Sequence, residues 1–245
     1  MFYGSPESLD FTNIYFLLLN YYTLKASNKI AQERGESFHN FENSKYADGS
    51  YFDKYTEQVW APKYDKVRAL FDGIHIPTQA DWEALKTSVM KDGLYHQNRM
   101  AVAPNGSISY INDTSASLQP IVNRIEDRQE KKIGTIYYPA PDLSNDTMTY
   151  YQSAYDIDMR KVIDVYAAAQ QHVDQGMAMT LFMRSTIPAG LYPWKDGRTD
   201  KMTTRDLNIL RNYAHHKGIK SIYYIRTYTD DQEEIGSNAC ESCSI

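Results

Sequence analysis

The chain has 245 residues, 42% apolar and 23% charged, the proportions of an ordinary globular protein with room for one large domain or two small ones. A net charge of -5 offers nucleic acid no global basic field, and the longest apolar run, Ile14 to Tyr22, is less than half the roughly 20 residues that a membrane span needs. Two cysteines and no basic-then-apolar leader exclude a secreted disulfide framework and point to a reducing, cytoplasmic compartment.

Asp10 to Arg34 predicts a first helix, with Asp10 as its cap, Phe11, Tyr15, Leu18 and Leu19 on one face, and Gly35 as its stop. Phe38 to Phe52 is polar, aromatic and turn-rich, and reads as a loop. Pro77 to Asp92 is helical, carrying Trp82, Leu85 and Val89 at helical spacing before Gly93. "RMAVAP" (Arg99 to Pro104) predicts a strand entering an Asn-Gly turn, and Thr135 to Pro139 is a further strand candidate. Asp158 to Val173 predicts a helix that turns Val162, Ile163, Tyr166 and Ala169 inward, followed by a buried strand over Met177 to Met183. Thr204 then caps a helix with Leu207, Leu210 and Ala214, closed by Lys217 and Gly218, and Ile219 to Arg226 reads as a last buried strand. Helices alternating with short apolar strands predict an α/β fold with buried, largely parallel strands. From Thr227 the composition changes: four acids (Asp230, Asp231, Glu233, Glu234) fall in five positions with little to bury. The expected organisation is one folded unit over residues 1–226 and a disordered tail over residues 227–245.

Both cysteines, Cys240 and Cys243, lie in that tail as one C-x-x-C pair. Structural zinc wants four ligands, and the six histidines show no matching spacing. A thioredoxin-type site needs a helix starting at the pair, for which no chain follows. A mobile dithiol that exchanges disulfides is the third reading, and two idle surface thiols the plain alternative. The thirteen residues between Arg226 and Cys240 reach on the order of 45 Å when extended, enough to shuttle between partners. The rest of the chain holds no cysteine for such a dithiol to serve.

Tyr223 and Tyr224 stand side by side on the last strand. Neighbouring strand residues point to opposite faces unless a bulge or the strand end brings the rings together. Two adjacent phenols can pass a radical by moving an electron and a proton together; with 21 tyrosines in the chain, packing is the alternative. In "PNGSIS", Gly106 lets backbone approach a ligand closely, and Ser107 and Ser109 set hydroxyls beside backbone N–H groups. Such a loop can cradle an anion or simply end a strand.

The order of these features resembles the C-terminal end of the large (alpha) subunit of class I ribonucleotide reductases. There a helix like "MTTRDLNILRNYAHHKG" leads through glycine into a strand like "IKSIYYIR" and then a C-x-x-C tail. Asp81 to Pro120 is similar to the family's helix, strand and phosphate-loop segment, and Ala154 to Met183 to a later barrel helix and strand. "PNGSIS" and "FENSKYADGSYF" resemble the class Ib branch. The resemblance covers essentially the whole chain in collinear segments. It implies that Pro104, Asn105, Gly106, Ser107, Ile108 and Ser109 grip the diphosphate of a ribonucleoside diphosphate. It implies that Tyr223 and Tyr224 relay a radical from a small (beta) subunit with a manganese or iron dimetal site, this chain binding no cofactor itself. It implies that Cys240 and Cys243 re-reduce an active-site disulfide and are themselves reduced by a thioredoxin- or glutaredoxin-like protein.

The family's radical-receiving cysteine, its asparagine and glutamate neighbours and the active-site redox pair have no counterpart in this sequence. The expectation is therefore a C-terminal portion of an alpha subunit, supplying the second half of a ten-stranded α/β barrel and working with a separate N-terminal alpha fragment. Exposed strand edges and an apolar inner face would make it dependent on that partner. The rival expectations are a non-catalytic remnant that only binds the small subunit or a redox protein, and a free-standing dithiol carrier.

Overall fold

Pro6 opens the longest helix, α1 (Pro6–Arg34), from a position where its missing N–H costs nothing. The helix therefore starts a turn before the expected cap, and Asp10 has another task. Buried on α1, its carboxylate accepts hydrogen bonds from the backbone N–H groups of Lys63 (2.7 Å) and Tyr64 (3.1 Å), pinning a later loop. The buried stripe is Ile14, Leu17, Leu18, Tyr21 and Leu24, whereas Tyr15 and Leu19 are 45% and 37% exposed. The inward face is thus rotated from the one expected: apolar residues cover most sides of Ile14 to Tyr22, so packing partners choose the stripe.

The computed structural model describes residues 1–130 and 134–229. They fall into two units, one of residues 6–101 and 168–175, the other of residues 1–5, 102–167 and 176 onward. In the first unit α1 is followed by two short helices, α2 (Asp53–Thr56) and α3 (Asp65–Leu70), and by α4 (Gln79–Asp92). The segment expected as loop, residues 38–52, holds only two single 3-10 turns. Thr78 caps α4 in a reciprocal box with Asp81, and Gly93, at φ 78°, ends it. Trp82, Leu85 and Val89 point from α4 into the cluster around the α1 stripe, as the spacing predicts. Burying side chains of this size contributes about 1.5–3 kcal/mol each.

The second unit contains α5 (Gly106–Ile111), β1 (Ile125–Glu130), β2 (Gly134–Pro139), α6 (Met159–Gln170, its last turn grouped with the first unit), β3 (Thr180–Arg184), β4 (Thr186–Ile187), β5 (Asp200–Lys201), α7 (Thr204–His216) and β6 (Tyr224–Tyr228). β1 and β2 form an antiparallel hairpin from Ile125↔Pro139 to Glu130↔Gly134. β4 and β5 pair antiparallel, and β3 and β6 pair parallel with Thr180 opposite Tyr224. The fold is mixed α/β. Parallel pairing among the described residues is confined to β3–β6 and one bridge, Val102–Met177, and these strands do not close into a barrel. No described helix is long and apolar enough to cross a membrane.

Val162, Ile163, Tyr166 and Ala169 are all buried, as expected of α6. Several local expectations change. Residues 99–104 form no strand, Val102 alone pairing in a bridge to Met177, and the strand expected over Met177 to Met183 is β3, Thr180–Arg184. Thr203, not Thr204, caps α7, because Asp206 stands three residues after Thr203 and completes the reciprocal box. The last strand starts at Tyr224 rather than Ile219 and runs to Tyr228, two residues into the segment assigned to the tail. It is also exposed rather than buried: β3 is its one strand neighbour among the described residues, and Tyr223, Tyr224 and Ile225 are open to solvent.

Candidate functional site

Three consecutive residues, Met177, Ala178 and Met179, carry the candidate site on their backbone. On one side Val102 bridges Met177 in parallel, and its carbonyl accepts from the Ala178 N–H at 2.8 Å. On the other, the Met179 carbonyl accepts from Tyr223 N–H at 2.8 Å and from Tyr224 N–H at 3.4 Å. Val102, two residues before the loop, and the tyrosine pair therefore flank the same short segment just ahead of β3.

The loop is more than a turn. Asn105 lies in the left-handed region (φ 49°, ψ 32°), where asparagine is one of the few tolerated side chains, and the chain winds straight into α5. Pro104 to Ile108 are exposed. Ser109 is buried and its hydroxyl donates to the Gly106 carbonyl at 2.8 Å, so it is engaged in holding the loop. Ser107 presents its hydroxyl at the surface instead. A Cβ on Gly106 would meet nothing within 4 Å, so the chain's own packing does not require glycine there. The first N–H groups of α5 have no acceptor inside the helix.

Two successive N–H groups directed at one carbonyl bend the strand entry, and this brings the tyrosine rings together. The Tyr223 and Tyr224 centroids are 4.1 Å apart at an interplanar angle of 62°, and the Tyr224 hydroxyl donates to that of Tyr223 at 3.5 Å. In the reverse arrangement, with the Tyr223 hydroxyl donating, the hydrogen bond to Tyr224 and then the charge on Tyr224 hold the Tyr223 phenol above its ordinary value.

Helix α7 delivers the pair. Its first turn is anchored by Asp206, which is buried, accepts from Thr203 and from Trp194 Nε1 (2.8 Å), and pairs with Lys195 (2.9 Å). Its last turns are tied to α6, where Asp164 accepts from Tyr213 Oη and Lys217 Nζ, both at 2.8 Å. The Ile219 N–H returns to the Ala214 carbonyl, turning the chain toward Tyr223. Sequence reasoning did not single out Met179, whose carbonyl fixes the pair; its place in the Met177 to Met183 run is the one available signal. Cys240 and Cys243 lie outside the described residues. Among the described residues no group of three or more His, Cys, Asp or Glu side chains could hold a metal.

The sequence matches the family model described as "Ribonucleotide reductase, barrel domain" over residues 1–225. The ribonucleoside-diphosphate reductase subunit alpha of Bacillus subtilis (strain 168) is 46% identical over 243 residues, covering 99% of this chain and 32% of that protein. The Mycoplasma genitalium subunit alpha is 47% identical over 256 aligned positions, 100% of this chain and 33% of that protein. That of Helicobacter pylori is 28% identical over 233 residues, 95% of this chain and 26% of that protein. The chain thus spans about a third of the length of the first of these relatives. The match across nearly the whole chain shows that it belongs to the ribonucleotide reductase barrel-domain family.

Proposed function

We propose that this chain supplies the radical relay and the diphosphate loop of a class Ib ribonucleoside-diphosphate reductase alpha subunit. The reaction is reduction of a ribonucleoside diphosphate to the deoxyribonucleoside diphosphate for DNA synthesis. The observation that carries the reading is the Tyr223–Tyr224 pair in a member of this family: rings 4.1 Å apart and hydroxyls joined by a hydrogen bond. When Tyr223 is the radical, an electron crosses between the rings while the Tyr224 proton moves along the O–H···O contact, leaving Tyr224 as the radical. At 3.5 Å that contact has to close by about 0.7 Å to reach an ordinary O–H···O length, a tightening expected on assembly.

The loop supports the second part. Pro104, Asn105, Gly106, Ser107 and Ile108 are exposed, the space above Gly106 is open, and Ser107 offers its hydroxyl; Ser109 shapes the loop from beneath. In this reading the chain forms the second half of a ten-stranded α/β barrel, and the exposed edge of β6 is completed by the remainder of an alpha subunit. A small subunit with a manganese or iron dimetal site supplies the radical. Cys240 and Cys243 pass reducing equivalents from a thioredoxin- or glutaredoxin-like protein.

The test is reconstitution with the remaining part of an alpha subunit, the small subunit, a ribonucleoside diphosphate and a dithiol. Turnover is expected, and replacing Tyr223 or Tyr224 with Phe abolishes it. Replacing both cysteines with Ser spares turnover with a small dithiol and removes it with a protein reductant. Binding of the small subunit without turnover would reject the enzymatic reading in favour of a non-catalytic interaction fragment.

A further inference from the structure

The first unit holds an aromatic series that the proposed function does not use. It starts at the surface with Tyr22, 43% exposed, and passes inward to Tyr21 (5.2 Å between centroids) and Trp82 (4.9 Å). Trp82 lies flat on Tyr55, at 4.0 Å and 11°, and both rings are fully buried. Every step is short, and the innermost pair has the face-to-face overlap that couples two π-systems best.

The polar atoms of this series are wired in one direction. Tyr51 Oη (2.9 Å) and Arg99 Nη1 (3.1 Å) both donate to Asn20 Oδ1, which fixes the amide so that its Nδ2 donates to Tyr55 Oη at 2.9 Å. The Tyr55 proton then points to His172 Nδ1, 3.1 Å away. The other ring nitrogen, Nε2, faces Asn13 Oδ1 at 3.0 Å, an oxygen that already accepts from Gln171 Nε2 at 2.8 Å. An amide oxygen can only accept, so Nε2 carries the imidazole proton and Nδ1 is a bare acceptor. Burial, with Lys54 adding to it, pushes His172 down to about 3, so the ring is neutral at rest and returns a proton readily. The indole N–H of Trp82 is buried with no hydrogen-bond partner among the described residues, so an oxidised Trp82 has no base to take its proton. Packing alone explains none of this: a phenylalanine at position 55 would fill the same stack without the Asn20–Tyr55–His172–Asn13 chain.

We propose that Trp82, Tyr55 and His172 form a trap for oxidising equivalents, separate from the Tyr223–Tyr224 pair, in which Tyr55 is the resting place of the radical. A one-electron oxidant such as the carbonate radical anion is reduced at the surface by Tyr22. The vacancy passes through the Tyr21 ring to Trp82 before either phenol loses its proton, so Tyr22 and Tyr21 regain only an electron and Trp82 is left as the radical cation. Tyr55 then gives an electron to the Trp82 radical cation and its phenolic proton to His172 Nδ1. The indole is restored, Tyr55 becomes a neutral tyrosyl radical, and His172 becomes an imidazolium still bonded to Asn13. One electron has left the protein, and the phenolic proton stays within hydrogen-bond reach, so re-reduction of Tyr55 by a small reductant such as ascorbate reverses the step.

The test uses the full chain with Trp60→Phe and Trp194→Phe, which leaves Trp82 as the one tryptophan. A laser flash photoionises it, and transient absorption follows the tryptophan radical. The expected result is conversion into a tyrosyl radical, slowed at least about twofold in heavy water because a proton moves in the same step. Tyr55→Phe, which keeps the stacked ring, should lengthen the tryptophan radical's lifetime at least about tenfold, and His172→Gln should lengthen it too. A lifetime unchanged by Tyr55→Phe in a protein with the parent circular dichroism overturns the proposal. So does the absence of a solvent isotope effect in the Tyr55-containing chain, a measurement that needs no substitution in the trap.

Discussion

Replacing Asp206 with Asn tests whether the anchor of α7 is the charged cluster at its first turn. The Asp206 carboxylate is 2% exposed and accepts from the Thr203 N–H (2.7 Å), the Thr203 hydroxyl (2.7 Å) and Trp194 Nε1 (2.8 Å), with Lys195 Nζ at 2.9 Å. Burial alone would raise its pKa, but Thr203, Lys195 and Trp194 outweigh it and hold the carboxyl at about 2. The drop from the ordinary 3.8 to about 2 is worth about 2 kcal/mol, at roughly 1.4 kcal/mol per pH unit. The folded value lies below the unfolded one, so this stability is complete above about pH 4 and drains away as pH falls toward about 2. Asparagine carries no charge and sets its own N–H groups where several donors converge. The expected cost is about 2–3 kcal/mol, below the 3–5 usual for a broken buried pair. The difference arises because Lys195 keeps the Asp200 carboxylate at 3.1 Å and the Lys201 carbonyl at 3.0 Å. Urea unfolding followed by tryptophan fluorescence, at pH 7 and in steps down to pH 2, measures both quantities. The gap between parent and variant should close on acidification. A gap below about 0.5 kcal/mol at pH 7, or one that stays constant down to pH 2, refutes the reasoning.

Gly93→Ala should cost about 2–4 kcal/mol in urea unfolding, because the backbone there favours glycine alone and a methyl carbon would sit 2.6 Å from Ser37 Cβ. Gly35→Ala is the control: its φ is also positive, but nothing lies within 4 Å, so about 1 kcal/mol is expected, and equal costs would remove the steric argument. Tyr224→Phe should lower the Tyr223 pKa toward the ordinary phenol value while leaving the melting curve unchanged, since both rings are exposed. Carbon-13 tyrosine NMR across the alkaline range reads that titration, and an unmoved Tyr223 would mean that the pair is not coupled.

Where a local rule operates, the sequence was a sufficient guide. The end of α4 followed from a stop glycine and its buried face from apolar spacing, and the inward face of α6 from apolar residues at one helical period. The cap of α7 was read one residue late, at Thr204, although the acid three residues after Thr203 selects Thr203. β1 escaped notice because "IEDRQE" is a charged stretch with no apolar alternation, held in place by its partner β2. The loop and the tyrosine pair were legible as residues, through resemblance to a family. Their arrangement on the two sides of Met177–Met179 was not, because it depends on backbone pairing between segments roughly 45 to 75 positions apart that no local pattern records.

Two successive N–H groups reach the Met179 carbonyl, so the tyrosine pair itself is held by its main chain and not by its own side chains. Side chains at 223 and 224 can therefore be exchanged without disturbing what positions them. Phenol analogues of graded acidity or oxidisability, installed one at a time, would sit where the natural rings sit. The pair becomes a place where the driving force of a single electron-transfer step can be varied while its geometry is held fixed.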